Sequence, residues 1–510
     1  MGRGRWPEDG GGSPPLPFLP GEVSNGEFVP RPPSQRDRWI ADLALARVGD
    51  AADRLAIDRR TLLQSAAGMA AMLAAVNLAA CSDGDDPAAG ASPGGTFTVP
   101  PTEDVTACED ALGDRGEFIF DVHTHHVVPD GPWRKNAPRI EQMIRGLVPA
   151  DCMDADRFDC LNRVAYLTDM FLASDTTMSL LSDVPGSDST NFPVPFAERV
   201  RTQDFAASLA GGGQPRVLVH DVIAPNFGNL SARLDGMATT VATGRVAAFK
   251  TYTAWGPGGR GYELDDPKIG LPVIERARSL GVKVICAHKG LPLLEFDQRF
   301  NGPRDLVHAA SQFPDMQFVV YHSAYERETT EGAYDPRRAS TGINSLVKAM
   351  QDYGVGANSN VWAELGTTWR EVMSQPTEAA HVMGKLLKHV GEDRVLWGTD
   401  AIWYGSPQPQ IMAFRAFQIS TALQERHGYP ALTDTIKRKV FGLNAAQLFG
   451  VDPDARRCVL DKDELTKAKA EHRALGATGE LGPMWRARGP ITRREMLSWL
   501  GRPGTSRAPF

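Results

Sequence analysis

Short apolar runs alternate with helically spaced segments through much of the chain. Eight runs of three to six mainly apolar residues lie between positions 117 and 400. Between them, apolar residues recur at helical spacing, as at Val273, Ile274, Ala277 and Leu280. Strands that are buried on both faces and alternate with helices are typical of parallel βαβ units. The runs cover residues 118–122, 178–181, 217–219, 246–249, 282–287, 318–321, 361–365 and 395–397.

Eight such repeats predict an α/β fold, a (β/α)8 or TIM barrel that occupies residues 117–451. An open, doubly wound sheet is the alternative, but no glycine-rich nucleotide loop follows the first run. The remaining residues, 452–510, are predicted to form a short polar C-terminal tail.

The first 81 residues are predicted to be a leader that is disordered or helical. Residues 1–36 are rich in Gly and Pro, and residues 39–57 have the spacing of an amphipathic helix. Arg59 and Arg60 then precede an uncharged, Ala-rich run that ends at Cys81 and is too short for a membrane span. The Gly-, Pro- and Asp-rich residues 82–116 are predicted to form a flexible linker.

The end of the leader resembles a twin-arginine export signal followed by a bacterial lipobox. This resemblance implies that the twin-arginine export machinery carries the folded protein and that Cys81 is lipidated after cleavage. The protein would then be anchored on the outer face of the bacterial cytoplasmic membrane. Fifty-eight residues precede the arginine pair, which is long for such a signal. The alternative is a buried Ala-rich helix behind two surface arginines, in a cytoplasmic protein.

Composition and charge narrow the range of partners. Hydrophobic residues make up 42% of the chain, and a net charge of −7 gives no basic stripe for nucleic acid. A small-molecule substrate is therefore expected, and the oligomeric state stays open. Cys286 lies in an apolar run and is expected to be buried, whereas Cys108, Cys152 and Cys160 could include a disulfide in an exported protein.

Polar side chains lie at or just after the ends of the predicted strands, where the active sites of (β/α)8 barrels are found. His123 and His125 are two residues apart and would point to the same face of a strand. With His288 and Asp400 they form a donor set suited to zinc or a similar divalent ion, with one ion favoured and two possible. The residues at strand ends are His123, His220, Lys250, His288, His322, Glu364 and Asp400.

Several motifs resemble those of the amidohydrolase superfamily, in particular the branch that includes aminocarboxymuconate-semialdehyde decarboxylase. The resemblance implies that His123, His125, His288 and Asp400 bind the metal and that His322 is a general acid/base or polarises the substrate. The motifs are FDVHTH at 120–125, VICAHKG at 284–290, VVYHSAYE at 319–326, VWAELGT at 361–367, VLWGTDAIW at 395–403 and NAAQLFG at 444–450.

Lys250 has two alternative roles. In members with two metals a lysine on this strand is carbamylated and bridges the ions, whereas members with one metal do not need it. The alternative is a lysine that binds a substrate charge or forms a salt bridge. Two equivalents of metal per chain would favour the bridging carbamate.

The resulting functional prediction is a metal-dependent hydrolase. A metal-activated water would attack the carbonyl of an ester, lactone or amide, with Asp400 taking its proton and His322 assisting the developing charge. The alternative is a non-oxidative decarboxylase or hydratase that acts on an unsaturated or aromatic carboxylic acid. A second alternative is a catalytically inactive, lipid-anchored binding protein.

Further residues near the predicted strand ends have less specific roles. Substrate contacts are predicted for Tyr252, Arg260 and Trp403 from their positions on loops. His220 could contact substrate or be a hydrogen-bonded structural residue, and His126 is expected to be structural. Glu364 could bind Lys250 or His322, and Asp121 could orient a metal-bound imidazole.

Overall fold

The chain forms a closed parallel β-barrel in a computed structural model that describes residues 16–25, 28–82, 94–148, 152, 156–210, 215–291, 296–460 and 463–478. Eight parallel strands follow one another in chain order around the sheet. The barrel closes where the Val122 amide donates to the Trp397 carbonyl at 3.0 Å. The predicted (β/α)8 barrel is confirmed. The strands are β1 Gly95–Phe97, β2 Phe120–Thr124, β3 Met178–Leu181, β4 Val217–Ile223, β5 Val246–Thr251, β6 Val284–His288, β7 Gln317–Tyr321, β8 Val361–Glu364, β9 Val395–Leu396 and β10 Phe417–Ile419.

Helices surround the barrel, and four of them precede its first strand in the chain. The α-helices are α1 Gln35–Leu55, α2 Arg59–Leu63, α3 Ala66–Ser82, α4 Val105–Leu112, α5 Trp133–Asn136, α6 Pro138–Leu147, α7 Arg163–Leu167, α8 Phe196–Ser208, α9 Leu230–Val241, α10 Gly270–Ser279, α11 Arg304–Gln312, α12 Gly342–Asp352, α13 Thr368–Val372, α14 Pro376–Lys385, α15 Gln408–Ala416, α16 Thr421–His427, α17 Asp434–Arg438, α18 Asn444–Phe449, α19 Pro453–Leu460 and α20 Glu464–Thr478. Short 3₁₀ or π segments cover Arg157–Leu161, Thr168–Leu172, Pro257–Gly259, Gln298–Phe300, His322–Ala324, Pro336–Arg338, Leu386–Gly391 and Lys439–Leu443.

Alternation along the strands places neighbouring side chains on opposite sides of the barrel wall. Ala248, Cys286 and Trp362 belong to the cluster inside the barrel, whereas Phe249 and Ile285 pack with the surrounding helices. Because successive strand residues point to opposite faces, the same alternation directs Lys250, His288 and Glu364 into the barrel. All three lie at the carboxyl ends of their strands.

The Ala-rich run of the leader forms a helix that is buried against the barrel. Helix α3 packs on α1, α4, α14 and α15, and Met69, Met72 and Leu73 are fully buried. The side chains of Arg59 and Arg60 lie at the surface. This placement is the one expected for a buried Ala-rich helix behind two surface arginines. Among the described residues, no helix is both long and apolar enough to cross a membrane.

Residues 94–116, which the sequence predicts to be part of a flexible linker, contain a strand and a helix. Strand β1 pairs antiparallel with β10, and the Phe97 and Phe417 rings are 5.3 Å apart. Cys108 and Leu112 of α4 are fully buried. The expectation of a flexible linker is corrected for this part, because its few apolar residues are spaced so that they reach the core. Residues 83–93 lie outside the described part of the chain.

The segment that follows the barrel, predicted to be a polar tail, begins with two helices. Arg216 binds Asp463 through two nitrogens, at 2.5 and 2.7 Å, and both side chains are buried. Leu465 also packs into an apolar cluster of the barrel. At least one charged residue of this segment, Asp463, therefore forms an ion pair with the barrel, and residues 479–510 lie outside the described part.

The cysteines are distributed as follows. Cys152 and Cys160 form a disulfide, whereas Cys108 and Cys286 are buried thiols and Cys81 is exposed at the end of α3. A disulfide of this kind is typical of proteins in oxidising compartments.

A buried carboxylate joins α20 to the barrel and leads to a prediction about acid stability. Asp175 accepts hydrogen bonds from Arg415 at 2.7 Å, Lys469 at 3.1 Å and Arg473 at 2.6 Å. Burial opposes its ionisation, but these three cations hold the pKa of Asp175 well below its ordinary value. The carboxylate therefore contributes stability that is complete above about pH 4 and is lost as the pH falls through the folded-state pKa.

We expect Asp175→Asn to lower the free energy of unfolding by about 3 kcal/mol at pH 7, because the buried Arg415 loses one of its two carboxylate partners and keeps only Glu117. The difference between the variant and the parent chain should shrink as the pH falls below about 4. Urea denaturation of both proteins at several pH values measures this difference in the free energy of unfolding. Asp315→Asn, which removes an exposed partner of Arg278, is the control and should change stability by less than about 1 kcal/mol. A pH-independent loss in Asp175→Asn would contradict the ion-pair explanation.

Candidate active site

Two histidines and a carboxylate converge at the carboxyl end of the barrel. Nε2 of His123 lies 3.4 Å from Oδ1 of Asp400, and Nε2 of His125 lies 3.2 Å from the same oxygen. All three side chains are buried. Asp400 follows β9 with a left-handed backbone (φ 60°), held in place by its amide, which donates to the His123 carbonyl at 2.9 Å. Such strained residues occur often at active sites.

A second group of potential ligands shares His123. Nδ1 of His123 lies 3.3 Å from Oε2 of Glu364, and the amide of His322 donates to the same oxygen at 3.0 Å. Burial raises the pKa of Glu364 to about 8. Gly398 allows this approach, because a Cβ there would lie 1.7 Å from Oε1 of Glu364. His123, His322 and Glu364 form one candidate metal-binding group of three, and His123, His125 and Asp400 form the other.

The imidazole rings of His288 and His322 contact each other through one nitrogen of each ring. Nδ1 of His288 and Nε2 of His322 are 3.2 Å apart. Their other nitrogens point at carbonyls, at 2.9 Å from Leu291 and 2.7 Å from Gly366, and must carry protons in order to donate to them. The two facing nitrogens are then both acceptors. This contact is satisfied only when a proton, or another cation, is shared between them.

Lys250 lies beside the histidines inside the barrel. Its Nζ is 2.9 Å from Nε2 of His123 and lies 4.3 Å from the ring centre of Tyr321 and 5.2 Å from that of Tyr252. The side chain is fully buried. A metal ion on Nε2 of His123 would have to take the place of this lysine contact.

Aromatic rings enclose the site. Trp403 stacks on His125 with ring centres 5.3 Å apart, and the Tyr252 ring lies 5.4 Å from that of His288. The Tyr321 hydroxyl donates to the Val122 carbonyl at 2.8 Å and lies 3.2 Å from Nε2 of His220.

The electrostatics of the site favour metal binding over protonation of the histidines. Burial lowers the pKa of His123 and His288 well below the ordinary value and that of His322 to about 4. Although burial opposes ionisation of Asp400, the neighbouring His123 and His125 hold its pKa well below the usual range. Neutral imidazoles beside an ionised carboxylate are the ligands that zinc and similar ions prefer.

The structure brings most, but not all, of the predicted residues together. His288 contacts His322 and belongs to neither three-residue group. Arg260 is exposed after the Pro257–Gly259 turn and is not among the described contacts of the histidines. Cys81 lies on the leader helix and not at the site.

Two carboxylates near the site have roles that differ from, or extend, the expected ones, whereas His126 has the expected structural role. Asp121 accepts from the amides of His123 and Thr399, both at 3.1 Å, so it joins the first and last strands and does not orient an imidazole. Glu364 contacts the His123 ring and the His322 backbone. The ring of His126 bonds to Thr202 at 2.9 Å, away from the other histidines.

Sequence reasoning missed the two hydrogen-bond donors on Asp400. The Thr367 hydroxyl donates to Oδ2 of Asp400 at 2.8 Å, and the Asn25 side-chain amide donates to the same oxygen at 3.0 Å. Thr367 follows Glu364 closely, so its place after a strand could have indicated it. Asn25 lies in the leader, and nothing in its local sequence connects it with residue 400.

The fold and this centre define a (β/α)8-barrel protein with a buried histidine and carboxylate group of the kind that holds a divalent ion. A family model described as Amidohydrolase matches residues 234–451. This match confirms the resemblance to amidohydrolases that the motifs predict. None of the curated proteins matches the chain.

The solved structures that match this chain are only distantly similar to it. An uncharacterised TIM-barrel protein from Bordetella bronchiseptica is 13% identical, with a TM-score of 0.43 over 65% of this chain and 98% of its own. A 5-carboxyvanillate decarboxylase from Novosphingobium aromaticivorans, complexed with manganese, is 15% identical (TM-score 0.41; 66% and 97% covered). A 2,6-dihydroxybenzoate decarboxylase from Rhizobium is 14% identical (TM-score 0.39; 66% and 99% covered).

Proposed function

We propose that this protein is a divalent-metal-dependent enzyme that removes carbon dioxide from an aromatic or unsaturated carboxylic acid. The observation that carries this proposal is the buried Lys250, which lies beside His123 and between the rings of Tyr321 and Tyr252. A cation and aromatic faces next to candidate metal ligands suit a flat, anionic substrate. The lyase alternative thus replaces hydrolysis as the main functional hypothesis, and decarboxylation is also the reaction named for two of the solved structures above.

The residues that would hold the ion are His123, His125 and Asp400, because their ligand atoms already lie within 4.8 Å of one another. His288 stays a predicted fourth ligand. Zinc is the predicted ion, and manganese suits the same imidazole and carboxylate donors. When bound, a divalent ion supplies a Lewis acid that fixes a substrate carboxylate and disperses its charge.

The chain's own side chains would carry out the remaining steps. Lys250 would bind a substrate oxygen, and Trp403 and Tyr252 would hold the planar part of the substrate. The bond between the carboxylate carbon and the substrate carbon breaks, and the electron pair stays on the substrate carbon. A proton that Nε2 of His322 takes up from solvent then adds to that carbon. The products are carbon dioxide and a substrate in which hydrogen replaces the carboxylate.

A substrate panel tests the reaction class. Chain reconstituted with Mn²⁺ or Zn²⁺ would be incubated with hydroxylated aromatic acids, unsaturated acids, esters and lactones. We expect carbon dioxide from at least one acid and its loss after treatment with a chelator. Hydrolysis of an ester or lactone without carbon dioxide would favour the hydrolase. Stoichiometric ligand binding without turnover would favour a binding protein.

Lys250→Met is expected to separate metal binding from turnover. Removing a buried positive charge next to His123 removes repulsion toward an incoming cation, so Mn²⁺ should bind at least about tenfold more tightly. Turnover should nevertheless fall at least about a hundredfold, because the substrate loses its cationic partner. Calorimetric titration and initial rates measure the two effects. Weaker Mn²⁺ binding, together with two metal equivalents in the parent chain, would instead favour a carbamylated, bridging Lys250.

Export and lipidation of Cys81 stay predictions. The Cys152–Cys160 disulfide supports an oxidising compartment. The buried apolar face of α3 supports the cytoplasmic alternative, since cleavage before Cys81 would remove that helix from the core. Fractionation of the native host and the mass of the mature chain distinguish the two.

A further inference from the structure

A segment of the leader lies across the carboxyl end of the barrel. This N-terminal strap comprises residues 16–25 and 28–34 of the described chain. Phe18, Val23, Ser24 and Asn25 are nearly or fully buried, although the surrounding sequence is rich in Gly and Pro. The strap therefore packs against the barrel over its apolar and small polar residues.

Contacts with the segments that follow β7 and β8 hold the strap in place. The Leu19 carbonyl accepts from Arg370 at 2.9 Å, and the Gly21 amide donates to the Ser374 hydroxyl at 3.4 Å. Glu22 forms an ion pair with Arg327, whose guanidinium lies 4.0 Å from the Phe28 ring centre. The segment after β7 also contains His322, and the segment after β8 also contains Thr367.

The end of the strap reaches the candidate metal ligands directly. Nδ2 of Asn25 donates to Oδ2 of Asp400 at 3.0 Å, and Thr367 donates to the same oxygen at 2.8 Å. The other oxygen of Asp400 faces His123 and His125. The two donors thus fix which oxygen of Asp400 is directed toward the histidines.

We propose that the N-terminal strap is a permanent wall of the active site and that Asn25 is a positioning residue for Asp400. This inference rests on the proposed function in that Asp400 is taken as a metal ligand. Groups that hydrogen-bond to a metal ligand typically change metal affinity or activity by 10- to 100-fold when removed. The leader is then part of the enzyme and is retained in the working protein.

Mn²⁺ titration tests the link between Asn25 and the ligands. Asn25→Leu fills a similar volume without a donor, and the dissociation constant for Mn²⁺ should rise about 10- to 100-fold. Ser24→Ala is the matched control, because Ser24 is equally buried in the strap but its hydroxyl donates to the Phe28 carbonyl. It should bind Mn²⁺ as the parent does. Unchanged binding in folded Asn25→Leu, or an equal loss in Ser24→Ala, would overturn the assignment.

Hydrogen exchange without metal tests the docked strap separately. Amides of residues 16–25 should exchange at least about a hundredfold more slowly than in the unfolded chain, and Asp400→Ala should accelerate them. An unprotected strap overturns the inference, as does a native host that contains only chain beginning at Cys81. A protected strap in a chain that binds no Mn²⁺ would overturn the proposed function but leave the strap as a wall of the site.

Discussion

Asp400→Asn should lower turnover at least about a thousandfold while leaving the fold intact. The carboxylate is the only anionic member of its three-residue group, and Asn would keep its shape but not its charge. Asn can still accept from Asn25 and Thr367, so the hydrogen bonds that hold the loop can persist. Initial rates at saturating substrate and metal, together with thermal unfolding, measure the two effects.

A matched carboxylate elsewhere in the barrel controls for general effects of this substitution. Asp221 is also buried, lies on β4 and accepts from the Thr240 hydroxyl at 2.6 Å, outside the histidine groups. Asp221→Asn should retain most of the parent turnover. Full activity in metal-loaded Asp400→Asn would contradict the role given to Asp400, and an equal loss in both variants would indicate a structural effect.

Met72→Asp is expected to have the largest effect on stability, a loss of at least about 4 kcal/mol or failure to fold. Met72 is fully buried where α3 packs on the barrel, so an aspartate there would be a buried charge among apolar side chains. Soluble yield and urea denaturation of protein purified from the cytosol measure the effect.

Leu78→Asp on the same helix provides the comparison, because 42% of the Leu78 side chain is exposed. It should change the free energy of unfolding by less than about 1 kcal/mol. A chain that tolerates Met72→Asp as well as it tolerates Leu78→Asp would show that α3 does not pack on the barrel in solution.

The barrel and the centre of the site were predictable because they depend on local patterns. Buried parallel strands need apolar residues on both faces, and each strand end then exposes a polar residue to the same cavity. The first strand of the barrel, β2, nevertheless begins at Phe120, two residues later than the apolar run, and Phe118 and Ile119 are buried ahead of it.

The role of the leader was not predictable from local pattern. An uncharged, Ala-rich run of this length has the same composition in an export signal and in a helix that packs on a core, and only its packing partners distinguish the two. The contact between Asn25 and Asp400 joins residues 375 positions apart, and no periodicity encodes it. Arg260 was predicted to contact substrate but is exposed, because a loop position after a strand does not by itself direct a side chain into the site.

The fate of solvent atoms during turnover in D₂O and ¹⁸O-labelled water tests the proposed chemistry most directly. For a decarboxylase, mass spectrometry should show one solvent deuterium on the carbon that lost its carboxylate, one carbon dioxide for each product, and no solvent oxygen in the organic product. A product that contains solvent oxygen and forms without carbon dioxide would contradict decarboxylation and indicate hydrolysis or hydration.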